Sequence, residues 1–594
     1  MGNKKAVVQR LELLRKEMEK SGLDAVYISG TDPHQSEYMP GYWQVREFIS
    51  GFNGSAGFLM ITKNAAALWT DSRYFLQATD QLDGTGIDLM KLRIEGTPSP
   101  AEWIGNVLPA QSLIGTDAAC LSISQFKTLK QSLATNDQKL VNCGDLMKII
   151  WEDRPQLPPD PIFEHDTKYT GRTRLDKIEL IRQQTKAAKA QATLLTALDD
   201  IAWTFNLRGA DISYNPVFMS FALVTGSEIM LYIDSAKIAT ELRQKLGTEG
   251  IAIKEYASVY DDLREVSGKI LVDPDRTNQA LLEAISPDAS ISYHLSIPCV
   301  LKAKKTDHEL AMMKIAMRKD GVAMVKFLLW LSKTVGKEAV TEYDVLLKLI
   351  ECRATQDGFK GASFHSIVGY NGNGAIVHRS VTKDTAAPIE AEGILLIDSG
   401  GQYLEGTTDI TRTISLGEPD LLAKEDYTVV LKSTIGLAEV KFPVNTPGAN
   451  IDLAARQALW QTGRNYGHGT GHGIGFFLNV HEGPMSIRQE YNNRVIESGM
   501  VMSDEPAFYR EGKYGIRTEN VIVCSEWLTN EYGRFLQFDT ITLCPIDTRL
   551  IERKLLTESE VKWLNDYHQR CYEELSPLLN EEEKEFLKQA TAAI

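Results

Sequence analysis

At 594 residues the chain exceeds what one hydrophobic core supports, and about 150 residues per domain gives three to four domains. A net charge of −15 and a pI near 5.3 argue against nucleic acid and anionic membrane as main partners, since both need a positive footprint. Seven scattered cysteines without a CxxC pair support neither a disulfide framework nor a thiolate zinc site, and no apolar run reaches the ~20 residues that span a bilayer; the expectation is a reduced, cytoplasmic protein.

Taken in chain order, residues 8–20 (VQRLELLRKEMEK) set Leu11, Leu13, Leu14 and Met18 among charges as an amphipathic helix. Ala25–Ser29 and Gly57–Thr62 read as strands, and their alternation with helical segments points to an α/β class. Four prolines within RPQLPPDPI (154–162) forbid a regular element, so a first boundary is placed at 156/157. The stretch Phe58–Asp71 resembles Phe221–Asp234 at an offset of 163, which suggests a duplicated domain; the alternative is that strand–turn–strand units look alike. A second boundary falls at 302/303. The expected organisation is therefore two related α/β domains, 1–156 and 157–302, before a third, 303–594. Helices are predicted over 308–333 and 341–357, and Thr557-Glu-Ser-Glu560 is a capping-box pattern opening a helical tail. Five of the ten histidines (365, 378, 468, 472 and 481) fall between residues 365 and 481, a fifth of the chain.

The chemistry concentrates there. Leu395-Leu-Ile-Asp398 is an apolar run ending in an acid, and Thr407-Thr-Asp409-Ile-Thr-Arg-Thr reads as a β-branched strand, so two acids can stand side by side on paired strands. Val501-Met-Ser-Asp-Glu505 and Ile516-Arg-Thr-Glu519 repeat the arrangement. Like charges on adjacent strands destabilise a sheet, and two such hairpins ask for a cation. Between them, Gly-rich HGTGHG offers His468 and His472 four residues apart. Asp398, Asp409, His472, Glu505 and Glu519 form a hard, oxygen-rich donor set better suited to Mn2+ or Fe2+ than to structural zinc. Four carboxylates balance two divalent cations, whereas one cation would leave a costly buried charge of −2. A pair of such ions activates water and polarises a carbonyl or phosphoryl oxygen. Spacing alone does not choose between acyl and phosphoryl transfer.

The segments NGNGAIVH (371–378), LLIDSGGQYLEGTTDITRT (395–413), HGTGHGIGFFLNVHEGP (468–484), SDEPAFY (503–509) and GIRTENV (515–521) resemble the pita-bread metallopeptidases, specifically the long, three-domain, cytosolic type of the Xaa-Pro aminopeptidase (aminopeptidase P) family. The likeness extends to HQSEY (34–38), FISGFNGSAG (48–57), WTDSRYFLQA (69–78) and WLNDYH (563–568), nearly the full length. It implies a pita-bread third domain, removal of the N-terminal residue from peptides with proline second, and a homodimer. It implies two divalent ions, Mn2+ first and Zn2+, Fe2+ or Co2+ as alternatives, held by Asp398, Asp409, His472, Glu505 and Glu519, with Asp409 and Glu519 bridging and Glu505 doubling as the base. His378 and His481 match histidines that hold substrate and move a proton, and His468 matches one near the proline pocket. Tyr509 and Arg517 match a gating or supporting pair, and Arg73 a substrate-contacting arginine; plain counter-charge roles for Arg517, and for Arg73 beside Asp71, are the competing readings. The chain departs from the pattern at Arg379, where tyrosine is common, and in EPAFY (505–509), where EPGYY is usual and Ala507 replaces glycine. A prolidase-like dipeptidase, a non-catalytic pita-bread binding module and the creatine amidinohydrolase branch are the rival readings.

Overall fold

The computed structural model describes residues 2–594. Contacts divide it into two compact units, one formed by residues up to His165 with Arg172–Cys299, the other by Asp166–Gly171 with Val300–Ile594.

The first unit opens with helix α1 (Gly2–Lys20), whose Val7, Leu11, Leu14 and Met18 are buried at helical spacing while Leu13 faces outward. Two six-stranded sheets follow. One comprises β1 (Ala25–Ile28), β2 (Phe58–Thr62), β3 (Ala66–Thr70), β4 (Asp88–Lys91), β5 (Leu113–Thr116) and β6 (Lys139–Asn142), in the order β4-β3-β2-β1-β5-β6. The other comprises β7 (Ala192–Leu195), β8 (Phe221–Thr225), β9 (Ile229–Tyr232), β10 (Ile251–Lys254), β11 (Gly268–Val272) and β12 (Ala289–Tyr293), in the order β10-β9-β8-β7-β11-β12. Strand directions also coincide: the β1–β2–β3 and β7–β8–β9 neighbours are antiparallel and the outer pairs parallel. The repeat therefore extends to whole-sheet topology. Asp71 and Asp234 even keep one local task, each accepting a hydrogen bond from the backbone N–H two residues on, at 3.1 and 2.9 Å.

The two repeats cluster as one unit because polar contacts stitch them. His34, buried, bonds the Thr196 carbonyl and the Tyr256 hydroxyl, each at 2.7 Å, and Asn278 donates to the Pro33 carbonyl at 2.9 Å. His34 is thus a structural histidine. The proline-rich segment forms no helix or strand across Arg154–Ile162.

The second unit carries helices α2 (Asp307–Thr334) and α3 (Glu342–Ala354), each opened by a threonine capping box. A three-stranded antiparallel sheet runs β13 (Ile367–Tyr370), β14 (Ile394–Ser399), β15 (Ile410–Ser415). The other, larger sheet contains β16 (Phe442–Pro443), β17 (Gly471–Gly473), β18 (Glu482–Ile487), β19 (Val501–Asp504), β22 (Asn520–Asn530) and β23 (Gly533–Thr540), in the order β16-β23-β22-β19-β17-β18. The hairpin β20 (Ala507–Arg510)–β21 (Tyr514–Arg517) lies between β19 and β22 in sequence. Helices α4 (Leu421–Ala438) and α5 (Gly448–Trp460) pack together. In the tail, α6 (Glu558–Leu575) begins at the predicted Thr557 capping box and buries Leu564, Tyr567, His568 and Cys571.

Candidate metal centre

The site forms where the β13–β14–β15 sheet and the six-stranded sheet of the second unit meet. Strand β14 is buried along its length, as its apolar run requires, and delivers Asp398 opposite Thr411 of β15, with Asp409 immediately before that strand. On the larger sheet Asp504 of β19 faces Asn520 of β22, leaving Glu505 and Glu519 as the next positions on the two strands. The seam is closed by the Glu519 N–H, which donates to the Thr411 carbonyl at 3.1 Å. His472 sits in the short β17, whose backbone packs so closely on β19 that a Cβ on Gly471 would stand 2.1 Å from the Ser503 carbonyl oxygen. Glycine beside His472 is therefore a packing requirement.

Imidazole orientation follows from local bonding. His472 Nδ1 donates to the Gly473 carbonyl at 2.9 Å, and its backbone N–H to Ser503 Oγ at 3.0 Å. That leaves Nε2 as the lone-pair nitrogen, 3.5 Å from Asp409 Oδ2 and 3.6 Å from Glu505 Oε1. One donor atom from each of Asp409, His472 and Glu519 falls within a mutual 4.8 Å. Asp398 Oδ1 is buried without a hydrogen-bond partner, while Oδ2 accepts from Arg517 Nη2 at 2.5 Å. Burial, reinforced by Asp398 and Glu505, holds the Asp409 carboxyl well above the carboxylate range. Burial and Asp409 do the same for Glu519, and burial lifts Glu505 to about 7 against the pull of Arg517. Three buried acids and the partly exposed Glu505, with an orphaned oxygen and an inward-facing imidazole nitrogen and Arg517 as the cation paired with Asp398, make a pocket whose negative charge two divalent ions would neutralise. The donor set fits.

Around the acids runs a chain of polar contacts. Arg517 also donates to the Tyr509 hydroxyl at 2.5 Å and to Thr411 Oγ1 at 3.1 Å, and Thr411 Oγ1 in turn donates to Glu519 Oε2 at 2.6 Å. Tyr509 bonds His468 Nε2 at 2.8 Å. His481 stands edge-on to His472, ring centroids 4.4 Å apart. Arg517 is thus both the counter-charge of Asp398 and a bridge to Tyr509. His378 is half-buried in the loop after the turn Asn371–Ala375, which packs against β21 so tightly that a Cβ on Gly515 would lie 1.8 Å from the Gly374 carbonyl oxygen. Arg379 fixes that loop through Glu342 Oε2 at 2.7 Å; Glu342 also accepts from the Tyr370 and Ala387 amides. Arg73 lies in the first unit, in a two-pronged pair with Asp71 at 2.8 Å through each oxygen.

Thr411 and Ser503, which orient Glu519, Arg517 and the His472 amide, escape the sequence reading. Their signal was adjacency: each stands two residues from a candidate ligand, on the same strand face.

Comparison with known proteins agrees with this architecture. Residues 10–154 and 153–309 match the creatinase/prolidase N-terminal domain, residues 311–526 metallopeptidase family M24, and residues 534–594 the C-terminal region of peptidase M24. The chain belongs to the M24 metallopeptidases that carry two creatinase/prolidase N-terminal domains, in the Xaa-Pro aminopeptidase P branch. Its relatives there include the probable Xaa-Pro aminopeptidase P of Coprinopsis cinerea, 39% identical over 99% of this chain and 98% of that one. Xaa-Pro aminopeptidase ApepP of Drosophila melanogaster is 40% identical over 98% of each. The crystal structure of X-prolyl aminopeptidase from Caenorhabditis elegans, described as a cytosolic enzyme with a di-nuclear active site, superposes with a TM-score of 0.92 at 33% identity, covering 96% of this chain and 95% of that one.

Proposed function

We propose that this chain is a cytoplasmic, metal-dependent aminopeptidase that releases the N-terminal residue from peptides with proline in second position. One observation carries the reading: Asp398, Asp409, His472, Glu505 and Glu519 converge at one seam in a donor set made for two divalent cations, inside a chain similar over its full length to Xaa-Pro aminopeptidases P. Mn2+ is the expected pair, and a homodimer the expected assembly.

When bound, two such ions supply Lewis acidity, acidifying water and polarising the scissile carbonyl. The residues do the rest. Glu505, whose Oε1 lies 3.6 Å from His472 Nε2, is assigned to take the proton of the attacking water. Asp409 and Glu519, the most buried of the set, would hold the ions together with Asp398, His472 and Glu505. His481, against His472, and His378 are assigned to the developing oxyanion and to proton delivery at the leaving nitrogen, which in a bond before proline carries no N–H. His468, Tyr509 and Arg517 form the wall assigned to the proline ring, and Arg73 matches a substrate-contacting arginine of the family.

Turnover of an Xaa-Pro-Xaa tripeptide, with release of the first residue, tests this directly. Cleavage of Xaa-Pro dipeptides with none of tripeptides would make the chain a prolidase-like enzyme instead.

A further inference from the structure

Asp426 is fully buried in α4, outside the metal seam, and is surrounded by donors. Its carboxylate accepts from Arg510 Nε at 2.5 Å and Nη2 at 3.0 Å, from Arg464 Nε at 2.7 Å and from the Tyr514 hydroxyl at 2.8 Å. These donors hold its carboxyl below the usual range despite burial. Two cations on one acid is more grip than a surface pair supplies, since charge-assisted bonds to a buried carboxylate are the strong kind.

What is gripped gives the network meaning. Arg510 and Tyr514 face each other across the β20–β21 hairpin, whose strands also carry Tyr509 and Arg517. Arg464 lies four residues before His468. The guanidiniums of Arg510 and Arg464 lie over the Phe508 ring, at 5.0 and 5.8 Å. The hairpin and the His468 segment, joined at one end by Asp426, meet again where His468 Nε2 bonds the Tyr509 hydroxyl at 2.8 Å. Two chain segments tied at both ends form a closed frame, and its end away from Asp426 is the His468–Tyr509–Arg517 wall. The frame also underlies EPAFY, where the chain departs from the usual motif.

We infer that Asp426 is a positioning residue for the substrate pocket: by holding Arg464 and the Arg510–Tyr514 hairpin, it sets the spacing of His468 and Tyr509 and so the fit of the residue they receive. The inference rests on the proposed function for the identity of that residue, proline. Asp426 itself bonds none of the five candidate ligands; the frame reaches them only through Arg517 on Asp398 and His468 beside Glu505, so metal content is read alongside KM.

The test compares Asp426→Asn, which keeps shape and loses charge, and Tyr514→Phe with wild type in the full chain loaded with Mn2+. For an Xaa-Pro-Xaa tripeptide, KM is expected to rise about tenfold in Asp426→Asn and less in Tyr514→Phe, with kcat within about twofold. Metal content stays at the wild-type level. Hydrogen–deuterium exchange without substrate is expected to rise over 464–470 and 507–517 and to stay unchanged over 395–413. An unchanged KM in a variant whose exchange has risen overturns the inference, because the frame then has no consequence for binding. Unchanged exchange in Asp426→Asn overturns it from the other side, and so does a loss of kcat accompanied by loss of metal. If wild type cleaves no Xaa-Pro peptide, the substrate reading fails separately, while exchange still decides whether Asp426 holds the two segments.

Discussion

Removing a single oxygen from the C-terminal tail is expected to destabilise the catalytic unit measurably. The Tyr567 hydroxyl accepts from Arg412 Nη2 at 2.8 Å and from the Cys544 amide at 3.3 Å, and donates to the Cys544 carbonyl at 3.0 Å. Arg412 is 1% exposed, and its bonds run to neutral acceptors, including the carbonyls of Thr411, Glu519 and Pro545. In Tyr567→Phe the ring keeps its stacking on Trp563, but a buried guanidinium loses one of its acceptors and the Cys544 amide loses its partner. A hydrogen bond to a charged group contributes about 1.5–3 kcal/mol and an orphaned amide adds to the loss, so a cost of roughly 2–3 kcal/mol follows. At about 2–4 °C per kcal/mol for a unit of this size, the melting temperature falls by roughly 4–12 °C. Differential scanning calorimetry of the full chain at fixed metal concentration reads this on the transition of the catalytic unit. A shift below about 1 °C would refute the reasoning, because the hydroxyl would then contribute nothing that water does not replace.

Three further outcomes are expected. Thr411→Val removes the donor to Glu519 and the acceptor of Arg517 Nε, and is expected to weaken Mn2+ binding to the metal-stripped protein about 10–100-fold by calorimetric titration; unchanged affinity would mean that Glu519 needs no orienting bond. Chelation is expected to lower the melting temperature of the catalytic unit. Mn2+ at a hundred times its dissociation constant should restore about 2.7 kcal/mol, a rescue that Asp409→Asn should lose. Acid is expected to destabilise the fold through His568, whose imidazole burial holds down at about 4 and whose Nε2 accepts from the Ile546 amide at 3.1 Å. Between pH 6.5 and 4 the unfolded chain takes up a proton that the folded chain refuses, so stability falls with pH by up to roughly 3 kcal/mol; His568→Gln should flatten that part of the curve.

The sequence made some of this legible and hid the rest for physical reasons. Asp398, Asp409, Glu505 and Glu519 were readable because their chemistry is written in local strand patterns, and antiparallel pairing turns such patterns into neighbours. The Thr557 cap was readable because a capping box closes within four residues. Asp426 was not: its partners stand 38, 84 and 88 residues away, and no periodicity links a helix interior to a hairpin end. The Glu342 anchor of Arg379 was hidden in the same way, 37 residues away. Leu13 counted as apolar in a helical pattern, yet its position turns it outward, because hydrophobicity says what can be buried and only packing says what is. The prolines of 154–162 give the expected boundary between the first two domains, whereas the His34–Tyr256 and Asn278–Pro33 contacts that fuse them depend on tertiary structure.

The duplicated aspartates carry their own experiment. Asp71 and Asp234 occupy one backbone frame, but Arg73 follows in one copy and Ala236 in the other. Nature has already made the alanine variant, at a site where the turn survives it. Arg73→Ala should therefore fold as its sister repeat does, and any function it loses can be charged to the guanidinium alone.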